Sequence, residues 1–337
     1  MNYPFNTPGA QTNFDKRLVK KYMNIDSRFR KNYYNTSSTD YHIELPAPMQ
    51  EVVELSIEHM EVTECWYSIS SDLGNNFFWI KKQTNEEILK YFFEIPPGNY
   101  DCNTLNEILA NLKSIESKSS AQIRLCELVI FNLRMNKLGV GSNKTLIVEN
   151  HGDKESNIIV HFDLDKYGNK DNIPLPLKFG WMLGFRFGYY KIINIDTSYP
   201  CTFPIQNEKI NEYLKTIEGD NTFLVSEGII DISSPRYFYL AIDDYNNSTV
   251  TDHFASLNAS LINKNILLKY CCYNKKDSTL DHAHFWTTNF INFKREYAGP
   301  VEIKKLHIKL IDEYGRVMNF NNMDFSFVLS FKTLYMR

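Results

Sequence analysis

The chain has 337 residues, 43% of them apolar and 14% aromatic, and a formal charge of −3. That length allows one large or two medium domains with a packed core, and the near-neutral charge excludes a polycation built to coat nucleic acid. Its 23 Phe and 21 Tyr favour pleated, half-buried surfaces and so β-sheet, while six cysteines are too sparse for a disulfide scaffold.

Residues 1–40 read as an N-terminal arm, polar and turn-forming at first, with no sustained helical or strand period. Residues 15–34 hold seven bases (Lys16, Arg17, Lys20, Lys21, Arg28, Arg30, Lys31) against two acids (Asp15, Asp26), a local charge of +5 that leaves −8 on the rest. Regular structure is expected from Tyr41. Across residues 51–64, Val53, Leu55 and Ile57 alternate with polar residues, and Met60 and Val62 continue one position out of phase. A one-residue slip turns the buried face over, so a β-bulge is expected near Glu58 and His59. Residues 77–80 and 91–95 read as short aromatic strands.

One helix is expected, over about residues 104–113. Thr104 and Glu107 have capping-box spacing, and Leu105, Ile108, Leu109 and Leu112 form one apolar face. Strands are expected at 123–133, 145–149 and 157–164, the last closed by a turn from Asp165 to Gly168. Residues 206–220 are a polar stretch suited to a boundary or long loop. Further strands follow at 223–232, 237–242 and 266–273. At the C-terminus Leu306, Ile308 and Leu310 alternate with polar residues, as do Phe325, Phe327, Leu329 and Phe331. With a turn at Asp312 to Gly315, they read as a strand pair that finishes a sheet. The expected fold is mostly β, a jelly-roll-like or stacked β-sandwich architecture with one amphipathic helix and an extended arm. The expected regions are 1–40, 41–205 and 206–337, the last ending in a C-terminal hairpin, and the two β regions are compatible with one sandwich or two.

Several constellations approach known chemistry without reaching it. Residues 138–145 lack the glycines of a phosphate-binding loop and run into a strand, so they read as a turn. Asp163, Asp165 and Gly168 open like a calcium loop, but Tyr167 stands where Asp or Asn is needed. Cys271, Cys272, His282 and His284 match no zinc spacing. Asp243 and Asp244 point apart on a strand and read as solvated strand-end acids. No catalytic residue, cofactor or metal site is expected. The basic stretch is the charge feature with functional weight. Tyr22, Phe29, Tyr33 and Tyr34 interleave with it, a mix that suits phosphate and base contacts, docking on an acidic protein surface, or a merely solvated face. No basic-then-apolar leader and no apolar run of about 18 residues is present, so neither a secretory signal nor a membrane span is expected. Synthesis in a reducing, cytosolic compartment follows.

Several segments together resemble the structural proteins of nucleocytoplasmic large DNA viruses. They are Asn24-Ile25-Asp26-Ser27-Arg28-Phe29-Arg30, Ser38-Thr39-Asp40-Tyr41-His42-Ile43-Glu44-Leu45-Pro46, Ile95-Pro96-Pro97-Gly98-Asn99-Tyr100, Leu183-Gly184-Phe185, residues 235–240, residues 306–316, and residues 322–327. The resemblance spans about residues 22–332 and is nearest to minor capsid proteins, with penton-type vertex proteins second. It implies a non-enzymatic virion protein, made in the host cytoplasm, that binds and cements its neighbours. The implied partners are the major capsid protein, other minor capsid proteins and further copies of itself. Nucleic acid or an inner membrane could meet the basic arm. A fibre or receptor-binding β-sandwich module is the competing reading, and an enzyme assembled from distant residues the third.

Overall fold

The computed structural model describes residues 18–115, 122–133, 144–149, 157–192, 223–233, 235–251, 253, 255–257, 260–262, 265–272 and 290–335. The fold is mostly β. It divides into two compact units, one of Met1–Trp66 with Pro235–Arg337 and one of Tyr67–Ser234. The boundaries therefore fall after residues 66 and 234, not after 40 and 205. The reason is strand pairing between the two ends of the chain, which local composition does not report.

The first unit is built on a seven-stranded antiparallel sheet. Its strands are β1 (Leu18–Asp26), β2 (Asp40–Glu61), β10 (Tyr237–Asp243), β13 (Ile266–Cys271), β14 (Phe290–Asn292), β15 (Arg295–Asp312) and β16 (Ser326–Leu334). They lie in the order β1-β16-β2-β15-β10-β13-β14. The expected pairing of the last two strands is corrected by this order. The turn forms, with Gly315 at φ +83° and its N–H donating to the Asp312 carbonyl. The chain then crosses over, and β2 runs between β15 and β16. Alternation identified both inward faces correctly, and Leu306, Ile308, Leu310, Phe325, Phe327, Leu329 and Phe331 all enter one core. It carries no information about which strand is the neighbour.

β2 shows how the register is kept. Val328 pairs with His59 and Leu329 with Ile57, so Glu58 is the extra residue of a bulge, at the expected place. A second irregularity leaves Val53 between Val52 and Glu54. Each inserted residue turns the pleat by one, and Val52, Leu55, Ile57 and Met60 all reach the core despite their uneven spacing. At the other end of the sheet the Asn292 side chain returns to β2. It accepts from the Ile57 N–H at 3.3 Å and donates to the Ile57 carbonyl, curling the sheet around its core. A short hairpin of β11 (Ala255–Leu257) and β12 (Ser260–Ile262) stands apart from the sheet.

Between β2 and β15, His42 lies opposite His307 with the rings stacked 3.8 Å apart. Asp40 contacts His307 Nε2 at 2.6 Å and Lys309 at 3.7 Å, and Lys305 faces Glu44. The His42 pKa is held below its ordinary value, first by loss of water around the ring and then by His307. A base whose folded pKa is depressed binds its proton more readily when unfolded. Stability is thus present above the unfolded value near 6.5 and declines as pH falls through it. His42→Gln is expected to flatten the loss of denaturant resistance between about pH 7 and pH 5. Identical pH slopes for the two proteins would remove this role.

The second unit holds two sheets. One has β3 (Phe77–Gln83), β4 (Ile88–Glu94), β7 (Asn157–His161) and β8 (Tyr189–Ile192) in the order β4-β3-β7-β8. The other has β5 (Val129–Asn132), β6 (Leu146–Glu149) and β9 (Phe223–Val225) in the order β5-β6-β9. Phe78, Phe93 and Val160 of the first sheet share a core with Phe131 and Ile147 of the second. The strands expected at 123–133 and 223–232 are shorter than read, because residues 125–127 form a 3₁₀ turn and pairing beyond Val225 stops. Residues 206–220 lie outside the described residues.

The helix α1 (Cys102–Asn111) closes this core with Leu105 and Leu109. It begins two residues before the capping box predicted. Asp101 is the N-cap, and its carboxylate accepts from the Thr104 N–H at 2.7 Å. The anion also faces the positive end of the helix dipole, which a Thr hydroxyl does not exploit. Asp101→Ala is expected to cost about 1 kcal/mol, and Thr104→Ala well under half of that, by denaturant unfolding. Equal effects would return the cap to Thr104. A second short helix, α2 (Phe179–Met182), leads to Gly184, whose φ of +93° and closeness to the Gly228 carbonyl leave no room for a Cβ.

Candidate interaction surface where the chain ends meet

The basic stretch is folded rather than free. Lys16 and Arg17 lie outside the described residues. Lys20 and Lys21 sit on β1, which pairs with β16 from Leu18↔Leu334 to Asp26↔Ser326 and forms one edge of the sheet. Ile25 reaches the core, and Met23 packs against it. The arm reading is thus corrected for residues 18–40. Only one side of β1 is buried and its exposed face is polar, so the period that would announce a strand is diluted.

Beyond β1 the chain makes two tight turns over Ser27–Phe29 and Tyr33–Asn35 before entering β2. Asp26 starts them by accepting from the Arg28 N–H at 2.9 Å. Ser27 exchanges hydrogen bonds with the start of β16: its N–H donates to the Phe325 carbonyl at 2.9 Å, and its hydroxyl accepts from the Phe325 N–H at 3.0 Å. The same hydroxyl donates to Asp324 at 2.7 Å.

Arg30 holds the turns together. Its side chain is 6% exposed and pairs with Asp324 at 2.7 Å. Its guanidinium also donates to the carbonyls of Ser27 at 2.7 Å, Tyr33 at 3.2 Å and Thr36 at 3.3 Å. The Tyr33 ring lies 4.0 Å beneath it. A planar cation with five donors can serve a carboxylate and several carbonyls at once, which an ammonium cannot. Ser38 and Thr39 complete the clasp by donating to the Met323 and Met318 carbonyls at 2.7 and 2.6 Å. The two end motifs, nearly 300 residues apart in sequence, are therefore one structure.

Three more of the described bases are also neutralised. Lys20 meets Glu58 at 2.7 Å, Arg28 meets Asp26 at 2.5 Å, and Lys31 meets Glu44 at 2.5 Å. These pairs lower the carboxyl pKa of Asp26, Glu44 and Glu58, in each case chiefly through the hydrogen bond from the base. Four of the five described bases thus face a carboxylate, and Lys21 sits opposite Phe331 at the sheet edge. What stays prominent is aromatic: Tyr22, Phe29 and Tyr34 are exposed.

Two solved structures resemble the chain along nearly its whole length. One is a crystal structure of the selenomethionine-labelled mavirus penton protein, 8% identical, covering 94% of this chain and 99% of that one with a TM-score of 0.34. The other is a chain of the Sputnik virophage structure solved by cryo-EM, 12% identical, covering 93% and 98% with a TM-score of 0.35. No protein-family model matches the chain, and no curated protein matches it.

The other constellations resolve as structure. Asp165 is a turn residue, accepting from the N–H groups of Tyr167 at 2.9 Å and Asn169 at 2.8 Å. The Thr145 hydroxyl donates to the Leu183 carbonyl inside the second unit, and residues 138–143 lie outside the described residues. Cys271 and Cys272 are half-buried, burial pushes the Cys272 thiol pKa up, and His282 and His284 lie outside the described residues. Asp244 overturns the expectation of a solvated acid. It is buried against Arg295 at 3.2 Å and accepts from the Tyr297 hydroxyl. Among the described residues no group of three or more His, Cys, Asp or Glu could hold a metal, and no helix is long and apolar enough to cross a membrane.

Proposed function

We propose that the chain is a structural component of a virus particle, a minor capsid protein that binds and cements neighbouring capsid proteins. The observation that carries this reading is the clasp. The segments of the chain that resemble large DNA virus capsid proteins at either end, Asn24 to Arg30 and Asn322 to Phe327, come together around Arg30 and Asp324. They build a stiff edge to the first unit. Cations spent on internal carboxylates do not need phosphate to be satisfied, so the edge suits a protein neighbour better than nucleic acid. An edge strand, as β1 is among the described residues, also accepts main-chain contacts from a partner. The role needs rigidity and surface and calls for no catalysis.

Mass spectrometry of purified, protease-washed particles, with copy number, tests the proposal. The expected result is retention at a stoichiometric number of copies, and that number separates a lattice position from a vertex. Abundance in infected cytoplasm with absence from particles would overturn the reading.

A further inference from the structure

The sheet β4-β3-β7-β8 of the second unit buries one face only. Phe78, Ile80, Phe93, Val160 and Ile192 enter the core, so the residues that alternate with them share the outer face. The register sets these in rows across the strands. Phe92, Trp79, His161 and Tyr189 form one row, and Lys90, Lys81, Ile159 and Lys191 form the next. Beyond the lysines, Gln83 lies opposite Asn157. The lysine row carries a cost. Lys81 and Lys90 stand directly opposite on adjacent strands, and like charges so placed destabilise a sheet. No carboxylate stands in the row. Burial, then Lys90, hold the Lys81 pKa below its ordinary value, and the opposing pull of Asp163 does not restore it.

An anion laid along this row would offset the repulsion, and the flanking rows select its kind. Of the aromatic row only Tyr189 is exposed, at 61%. Trp79 donates its Nε1–H to the Asp165 carbonyl at 2.8 Å, and Gly168 lies against its ring. The His161 side chain is 12% exposed and sits between Asp163 and Tyr189. A nucleic acid strand needs successive open rings for its bases, and a long polyanion also meets the charge of −8 outside residues 15–34. One open ring beside three ammonium groups and two amides suits a sugar. Its apolar face lies on the ring, its acidic group meets the lysines, and its hydroxyls meet the amides. We propose that this outer face binds an acidic sugar, a carboxylated or sulfated unit of a glycan, held by Lys81, Lys90 and Lys191 and seated on Tyr189. The site lies within the second unit and does not depend on the virion reading.

The test uses the purified full chain as wild type, Lys81→Gln/Lys191→Gln and Tyr189→Ala. Each is titrated calorimetrically with a heparin oligosaccharide, a polysialic acid oligomer, neutral dextran and a thymidine oligonucleotide. The wild type is expected to bind heparin or polysialic acid and not dextran, and the better of the two names the acidic group as sulfate or carboxylate. The lysine variant is expected to weaken that binding at least about 10-fold. Its melting temperature is expected to match or exceed that of the wild type, because the charge opposite Lys90 is gone. Tyr189→Ala is expected to weaken binding at least about 3-fold and to leave its salt dependence unchanged, since the ring contributes no charge. Failure of the wild type to bind either acidic glycan would overturn the proposal. Equal affinity for the oligonucleotide would do the same, because the face would then read charge alone. So would glycan binding that neither variant weakens, which would place the sugar elsewhere on the chain.

Discussion

Arg30→Met is expected to destabilise the first unit by about 3–5 kcal/mol. The substitution fills much of the same volume but removes the countercharge of Asp324 and the donor to the carbonyls of Ser27, Tyr33 and Thr36. A carboxylate left mostly buried without its partner costs more than the ion pair itself contributed, because desolvation is no longer offset. Arg30→Lys is expected to recover less than half of the loss, since one ammonium cannot span groups on three sides. Denaturant unfolding measures the magnitude, and hydrogen exchange locates it: amides of residues 18–36 and 323–329 should lose protection together. Phe29→Ala, at the adjacent but exposed position, should stay within about 0.5 kcal/mol of wild type. If Arg30→Met were equally silent, the clasp would be decoration and its motifs would need another explanation.

The uneven legibility of the sequence has a physical pattern. Phe325, Phe327, Leu329 and Phe331 announced a core face because side chains alternate across a strand and burial sorts them. The bulge at Glu58 was readable for the same reason, as a break in parity. Strand order was not readable, because pairing depends on partners far away in the chain; Thr333 lies beside Val52 and Leu18 beside Leu334. The candidate surface was half legible. The run from Asn24 to Arg30 stands out as a motif and the basic stretch 15–34 by its charge, but a count of charges cannot show that four of its bases are already answered. Glu58, Glu44 and Asp324 are distant in sequence, and only Asp26 lies within the run. Arg30 reads in the sequence as one of the partner-binding bases, and the structure bonds it to Asp324 and to the carbonyls of Ser27, Tyr33 and Thr36.

The second large effect is expected at Asp244, an acid that reads as solvated in the sequence and is buried against Arg295. Asp244 and Arg295 have side chains only 1% and 2% exposed, so Asp244→Ala leaves a guanidinium buried without a countercharge. The expected cost is about 3–5 kcal/mol, while Asp244→Leu with Arg295→Met is expected to cost clearly less than the sum of the single changes. Tyr297 adds a signature that packing alone does not produce. Burial, and next the charge of Asp244, push its phenol pKa far above the ordinary value. A phenol that stays protonated when folded and ionises when unfolded contributes stability that is complete below about pH 10 and is lost as pH rises above it. Tyr297→Phe should therefore lower stability at pH 7 through the lost hydrogen bond and flatten its decline above pH 10, read from denaturant midpoints across that range. An unchanged alkaline limb would show that the hydroxyl is not held as drawn. The pair also anchors a strap, since the loop after β10 donates from Val250 N–H to Glu296 at 2.7 Å and accepts at Ser248 from Ala298 N–H at 2.8 Å. With Asp244 replaced, the strap rests on these edge hydrogen bonds and those of Thr251 with Lys294 and Glu296, and it is the part of the first unit that should open first.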